Sequence, residues 1–133
     1  MGRDKATLEI DGVAMADRVA GALRAAGAAE VVHVGPAVGT LGATVEDEPG
    51  SGPLGAVVAA LRWAGEHNVL VAACDLVTPA PAAFAAVIAA LQSSPRASAA
   101  IPMIAGRTQP LAAAYAPRAL QPLVEAFARG ERS

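Results

Sequence analysis

Apolar positions along the chain switch repeatedly between the spacing of strands and that of helices. Residues 7–10 alternate apolar and polar side chains and are followed by Asp11-Gly12, a tight-turn pair, which predicts a short hairpin. From residue 14 to 26 apolar side chains recur at helical spacing, and Gly27 is expected to end that helix. Further strands are predicted at 30–34, 43–45, 68–74, 98–101 and 111–115, and further helices at 54–66, 80–92 and 118–129.

This alternation of strands and helices predicts the fold class. Residues 69–73 are apolar on both faces, as expected for a central parallel strand covered by helices on each side. The links between elements are short, and no linker or repeat divides the chain. We therefore predict one α/β domain over residues 1–133, a three-layer sandwich with a mostly parallel, Rossmann-like sheet.

Composition narrows the class of protein. The 133 residues are 54% hydrophobic, with aromatics at only 3% and a formal net charge of -2, which predicts neither disorder nor nucleic-acid binding. Cys74 is the one cysteine, which excludes a disulfide within the chain and cysteine-rich zinc sites. No apolar run reaches the roughly 20 residues of a membrane helix. The expectation is a cytoplasmic domain without membrane partners.

In α/β folds ligands bind at the carboxyl ends of the strands, which directs attention to a few polar positions. Asp75 follows the predicted strand 68–74, where one carboxylate suffices for Mg²⁺ held between phosphates. An aspartate that caps the turn before Pro79 is the structural alternative. Ser51 and Cys74 have no adjacent base, so nucleophilic catalysis has no support.

Two loops add candidate binding groups. The glycine-rich segment 50–55 leads into a helix, and its backbone amides suit an anion or a base edge, although such a segment is also often an ordinary loop. Asp47 upstream suits a sugar hydroxyl or base edge, or belongs to a solvated acidic face. Arg107 suits a substrate phosphate and Gln109 a ring amide, with an ordinary surface turn as the alternative.

The first residues resemble the second half of a phosphate-binding loop. Gly2 permits close backbone approach to a phosphate, and Lys5 supplies a point charge at the end of the loop. A frayed, charged terminus is the alternative interpretation.

Taken in order, four segments resemble the molybdenum cofactor guanylyltransferase family. Met1-Gly2-Arg3-Asp4-Lys5-Ala6 is similar to the second half of the family loop G-G-x-S-x-R-M-G-x-D-K-A. Asp47 precedes Gly52-Pro53-Leu54-Gly55, similar to the family's aspartate before G-P-L-x-G. Cys74-Asp75 ends a strand as in the family, and residues 109–115 match Q-P-L-x-A-x-Y. The resemblance covers nearly the whole chain and implies a nucleotide-diphospho-sugar-transferase-like fold.

The resemblance also implies an activity. Lys5 and Asp75 would be catalytic, with Lys5 on the nucleotide's phosphates and Asp75 holding Mg²⁺. Nucleotide binding would further involve Gly2, Asp47, Gly52, Pro53, Leu54 and Gly55, and the acceptor would lie near Arg107, Gln109 and Pro110. The terminal phosphate of molybdopterin would attack the α-phosphorus of GTP and release pyrophosphate, with charge neutralisation and no covalent nucleophile. Proteins of molybdoenzyme maturation are the implied macromolecular partners.

Departures from the family pattern leave alternative functions open. The family's opening strand and L-A-G-G-x-S-x-R half-loop are missing before Met1, and a proline that usually follows Cys-Asp directly is delayed to Pro79. The sequence is thus expected to be cut at both ends, and to show little or no transferase activity as it stands. The alternatives are a nucleotidyltransferase that uses CTP or another acceptor, and a non-catalytic remnant that binds a nucleotide.

Overall fold

The computed structural model describes residues 8–35, 44–76 and 78–133. The helices are α1 (Met15–Ala25), α2 (Gly52–Ala64), α3 (Pro81–Gln92) and α4 (Leu120–Ala128), the last preceded by one 3₁₀ turn. The strands are β1 (Glu9–Ile10), β2 (Val13–Ala14), β3 (His33–Val34), β4 (Thr44–Val45), β5 (Val69–Ala72), β6 (Ala99–Ala100), β7 (Met103–Ile104), β8 (Arg107–Thr108) and β9 (Ala112–Tyr115). The chain therefore has an α/β fold, as predicted.

The predicted hairpin at the start of the chain is confirmed. β1 and β2 pair antiparallel across Asp11 and Gly12, whose φ angles of 54° and 80° are those of a type I′ turn. Asparagine, aspartate and glycine are the residues that tolerate this left-handed region best. The helix α1 follows β2 directly, and Gly27 with φ 110° lies just beyond its end.

The sheet topology differs from the prediction of a mostly parallel sheet. The three-stranded sheet has the order β5-β9-β6, and β9 pairs antiparallel with both neighbours. Within the described ranges only the β3–β4 pair is parallel, with His33 opposite Thr44. The mostly parallel Rossmann-like sheet is therefore not confirmed.

Strand β5 shows why the direction was mispredicted. Its residues are apolar on both faces because α2 covers one face and α3 the other: Val69 and Val71 pack toward α2, and Leu70 packs toward α3. An apolar pattern of this kind indicates that both faces of the strand are covered, but it does not indicate the direction of the neighbouring strand. In the three-stranded sheet β5 is an edge strand, and β9 is the central one.

Helices cover both faces of this sheet, with β9 at its centre. Ala113 and Tyr115 of β9 face Val57 and Leu61 of α2, whereas Ala114 faces Leu91 of α3. Ala113 and Ala114 are completely buried. Small side chains on both faces of the central strand let the helices approach closely, so the core relies on the valines and leucines around them. Helix α4 packs on α2 through Leu54, Val58 and Ala126.

The segment before β9 contains a hairpin that the sequence pattern missed. β7 and β8 pair antiparallel across Ala105 and Gly106, with φ angles of 52° and 77°. Arg107 thus lies in a strand, and not in the predicted turn between strands. The apolar positions Met103 and Ile104 of this hairpin are exposed, so periodic burial could not reveal it. None of the helices in the described part of the chain is long and apolar enough to cross a membrane.

Candidate functional site

The carboxyl ends of β3 and β4 bring Gly35 and Asp47 together. The Gly35 N–H donates a hydrogen bond of 2.8 Å to the Val45 carbonyl oxygen, which extends the parallel pair by one residue. A Cβ on Gly35 would lie 4.0 Å from Oδ1 of Asp47 and 3.7 Å from Nε2 of His33. Gly35 adopts φ 111°, which a side chain disfavours. Asp47 thus lies at a strand end, as the sequence predicts, and both it and His33 lie close to Gly35.

The carboxyl end of β5 meets the start of β9. The Ala73 N–H donates to the Leu111 carbonyl oxygen at 2.8 Å, which prolongs the antiparallel ladder beyond Ala72 and Ala112. Antiparallel pairing places the end of one strand beside the start of the other. Asp75, two residues beyond Ala73, and the turn Gln109–Pro110 therefore lie at the same edge of the sheet. Asp75 is exposed, and Gln109 is half-buried.

Tyr115 fixes this turn and was missed as a site residue. Its hydroxyl donates a 2.8 Å hydrogen bond to the carbonyl oxygen of Pro110. The ring packs in the core with Val57 and Leu61, and burial raises the pKa of the phenol above 10.0. In the sequence, the segment similar to Q-P-L-x-A-x-Y ends at Tyr115, but that motif did not indicate a role for the hydroxyl.

Local hydrogen bonds shape the rest of the turn. The Gln109 side-chain amide donates to the Arg107 carbonyl oxygen at 3.2 Å, and the Gln109 backbone N–H donates to Pro102 at 2.9 Å. The Arg107 side chain is exposed on the hairpin. These bonds hold Gln109 against the base of the β7–β8 hairpin, whereas the Arg107 side chain projects from a solvent-facing strand.

The start of α2 is built around Ser51 and Gly55. Ser51 is 3% exposed, and its hydroxyl has no hydrogen-bond partner. A Cβ on Gly55 would collide with the Ser51 side chain and lie 3.4 Å from the Phe127 ring. The glycine at this position therefore has a packing reason that is independent of any ligand.

The same loop contacts residues near the other end of the chain. Gly52 adopts φ 68°, and a Cβ there would lie 2.6 Å from the carbonyl oxygen of Arg132. That oxygen accepts a 3.0 Å hydrogen bond from the Leu54 N–H. The Gly55 N–H donates to the Ser51 carbonyl oxygen at 3.3 Å, and Pro53 has no N–H. The amides of Leu54 and Gly55 are thus already engaged within the chain.

The predicted phosphate contacts Gly2 and Lys5 lie outside the described residues. Two cavities occur in the part of the chain that the structure describes. One of about 40 Å³ lies under α1 and includes His33 and Cys74 in its lining, so the ends of β3 and β5 both reach the same helix. The other, of about 390 Å³, contains none of the predicted site residues and is lined by Arg18, Gly21, Ala22, Thr78, Pro79 and Pro81.

Comparison with known proteins identifies the family of the chain. The sequence model of the MobA-like NTP transferase domain matches residues 1–133, the whole chain. The chain belongs to this family. The resemblance drawn from the four sequence motifs is thereby confirmed, and so is the prediction of a nucleotidyltransferase.

Two relatives of this MobA-like NTP transferase carry the same functional name. A probable molybdenum cofactor guanylyltransferase of Opitutus terrae is 37% identical over 142 residues, covering all of this chain and 68% of the relative. A probable molybdenum cofactor guanylyltransferase of Chloroflexus aggregans is 40% identical over 91 residues, covering 65% of this chain and 42% of the relative. The chain thus spans about two thirds or less of either relative.

A solved structure shares the fold of this MobA-like chain. The crystal structure of molybdopterin-guanine dinucleotide biosynthesis protein A from Archaeoglobus fulgidus superposes with a TM-score of 0.71 at 22% identity. The match covers 99% of this chain and 69% of that protein.

The donor set of this MobA-like domain fits Mg²⁺ bound jointly with a substrate. No group of three or more histidine, cysteine, aspartate or glutamate side chains in the described ranges is placed to hold a metal ion. Mg²⁺ is commonly bound by one or two carboxylates together with substrate phosphates and water, and Asp75 presents an exposed carboxylate of this kind. A metal cage made by protein side chains alone is therefore not formed by these residues.

Proposed function

We propose that the reaction this domain serves is the transfer of GMP from GTP to molybdopterin, and the expectation that residues 1–133 alone show little transferase activity stays a prediction. In this reaction an oxygen of the molybdopterin terminal phosphate forms a bond to the α-phosphorus of GTP. The bond from that phosphorus to the bridging oxygen of the β-phosphate breaks, and pyrophosphate leaves. The proposal rests on the match over the whole chain to MobA-like NTP transferases and on two relatives named as probable molybdenum cofactor guanylyltransferases.

The observation that carries the proposal is the hydrogen bond between Ala73 and Leu111. It brings the Asp75 end of β5 and the Gln109–Pro110 turn to one sheet edge, as a transfer between two substrates requires. Catalysis of this kind depends on holding the attacking oxygen and the α-phosphorus close together, without a covalent nucleophile.

Asp75 is the proposed ligand of Mg²⁺. When bound, the ion would neutralise charge that develops on the phosphates. Lys5 is proposed to hold the same phosphates as a point charge, with Gly2 permitting close backbone approach. Both roles come from the family motif in the sequence.

The guanosine is proposed to lie near Asp47 and the loop of Gly52, Pro53, Leu54 and Gly55. Asp47 is half-buried beside Gly35, where its carboxylate is available to accept hydrogen bonds from a base edge or ribose. Molybdopterin is proposed to lie near Gln109 and Pro110, with Arg107 on its phosphate.

The proposed unit is one nucleotidyltransferase domain over residues 1–133, a three-layer sandwich related to Rossmann-like folds, acting in the cytoplasm. Helices on both faces of the β5-β9-β6 sheet support the layered arrangement. Contact with proteins of molybdoenzyme maturation stays a prediction from the family resemblance.

Calorimetric titration of the chain with GTP and with CTP, each with and without Mg²⁺, tests the proposal. We expect GTP to bind more tightly than CTP, and Mg²⁺ to strengthen GTP binding. Asp47→Asn should weaken GTP binding, whereas Glu46→Gln, its exposed neighbour, should not. Equal affinity for GTP and CTP would contradict the proposed preference for guanine. Pyrophosphate release from GTP in the presence of molybdopterin is a separate test of the transfer reaction.

A further inference from the structure

Helix α4 ends in a turn that returns the chain to the start of α2. Gly130 adopts φ 93°, its N–H donates to the Phe127 carbonyl oxygen at 3.0 Å, and the Glu131 N–H donates to Ala126 at 3.2 Å. These two bonds form a Schellman motif, which reverses the chain after a helix. Residues 129–132, called the strap from here on, therefore lie across the first turn of α2.

The side chain of Arg132 anchors the strap. Its guanidinium carbon lies 4.0 Å from the centroid of the Phe127 ring, and Nη1 donates to the Phe127 carbonyl oxygen at 2.9 Å. With the side chain held in this way, the Arg132 carbonyl oxygen reaches the Leu54 N–H at 3.0 Å. The same oxygen fills the space over Gly52, where even a Cβ would lie 2.6 Å away.

Ser51, three residues before Leu54 in the chain, carries a second oxygen that can accept a hydrogen bond. It is the N-cap residue of α2, where a serine with extended backbone normally accepts from the N–H two or three residues on, but here its backbone is helical (φ -74°, ψ -12°) and its side chain makes no cap bond. Here Pro53 has no N–H, so Leu54 is the remaining donor. The Ser51 hydroxyl lies buried with no hydrogen-bond partner, and the Leu54 N–H donates to the Arg132 carbonyl oxygen. A buried hydroxyl without a partner is costly to keep.

From these contacts we propose that the strap is an intramolecular competitor of the nucleotide at the Gly52–Gly55 loop. When the strap is released, Ser51 leaves its helical backbone conformation and its hydroxyl replaces the Arg132 carbonyl as the acceptor of the Leu54 N–H, so α2 stays capped while the space over Gly52 opens. The Ser51 hydroxyl thereby offsets part of the cost of release. The identity of the competing ligand rests on the proposed function. The exchange of hydrogen-bond acceptors at the Leu54 N–H does not depend on it.

Amide hydrogen exchange at Leu54, followed by NMR without nucleotide, tests the exchange of acceptors. Arg132→Ala removes both anchors of the strap, and Arg129→Ala is the matched control, because among the described residues its exposed side chain bonds Glu131 alone. We expect faster Leu54 exchange in Arg132→Ala than in Arg129→Ala, and no acceleration in Ser51→Ala alone. In the Ser51→Ala/Arg132→Ala double variant both acceptors are weakened, and exchange should accelerate by about tenfold.

The competition is tested by titrating the same variants with GTP. We expect Arg132→Ala to bind GTP about fivefold more tightly than Arg129→Ala, because less of the chain is in the closed form. If Arg132→Ala and Arg129→Ala show the same rate of Leu54 exchange and the same GTP affinity, the proposal that the strap competes with the nucleotide is wrong. A double variant that exchanges no faster than Arg132→Ala would overturn the role of Ser51.

A failure of the proposed function gives a different result. If Leu54 exchange responds as expected but no variant binds GTP, then the competition and the nucleotide site are both refuted, and the exchange of acceptors is established by itself.

Discussion

The hydroxyl of Tyr115 lies 2.8 Å from the carbonyl oxygen of Pro110. The last residue of β9 therefore holds the turn that leads into the first residue of the same strand. The ring is buried against α2, which makes the position of the hydroxyl depend on the core. The predicted acceptor turn at Gln109–Pro110 is in this way tied to the packing of the sheet.

Tyr115→Phe should leave the ring packed and remove this hydrogen bond. We expect the free energy of unfolding to fall by about 1 kcal/mol, the usual net worth of one hydrogen bond. Urea denaturation followed by circular dichroism measures the change. An unchanged midpoint would show that the Pro110 carbonyl is equally well satisfied by water.

The same phenol predicts a dependence of stability on alkaline pH. Burial raises the pKa of Tyr115 in the folded chain above 10.0, so the unfolded chain ionises first. The contribution of this group is complete below pH 10 and is lost as pH rises through the folded pKa. The stability advantage over Tyr115→Phe should therefore shrink above pH 10. Parallel urea titrations between pH 8 and pH 11 test this, and a constant difference would contradict the buried environment.

Gly55→Ala should destabilise the chain because the added methyl group meets the Ser51 side chain. Overpacking of this kind costs about 1–3 kcal/mol. Ser51→Gly in the same chain removes the obstructing atoms and should restore part of the loss. Gly21→Ala is the matched control, since Gly21 lies within α1 with nothing within 4 Å of an added Cβ, and it should stabilise by about 1 kcal/mol. Thermal melts compare the four chains.

Asp75→Asn should weaken the effect of Mg²⁺ on GTP binding. The amide keeps the shape of the side chain and removes the negative charge that Mg²⁺ requires, and we expect a loss of at least about tenfold in the Mg²⁺-dependent affinity. Asp11→Asn is the control, because asparagine tolerates the φ of 54° at that hairpin turn. If Mg²⁺ changes GTP binding equally in the two variants, Asp75 is not a ligand of the metal ion.

The sequence predicted the helices better than the strands. Met15–Ala25 and Pro81–Gln92 fall close to their predicted bounds, because Gly27 and Pro81 give clear local signals for a helix end and a helix start. The predicted strand at 30–34 is reduced to His33–Val34, since pairing with a partner, and not local pattern, decides where a strand begins.

The structure places Asp47 and Asp75 just beyond the ends of β4 and β5, as the sequence pattern predicts, whereas their binding roles stay predictions. The role of Tyr115 and the contact of Arg132 with Leu54 were not predictable, since each joins residues through the tertiary fold. Gly55 shows the converse difficulty: a glycine that matches a binding motif also has a packing partner in Ser51, which the sequence alone does not reveal.

The central position of β9 has a consequence for the order of folding. Val69 pairs with Tyr115, far along the chain, whereas β6 pairs with the same strand over a much shorter separation. Closing the longer loop costs more chain entropy, and β5 has no partner in this sheet until residues 112–115 are available. During synthesis on the ribosome, β5 would therefore emerge with α2 as its cover but without a hydrogen-bonded neighbour from this sheet until β9 follows.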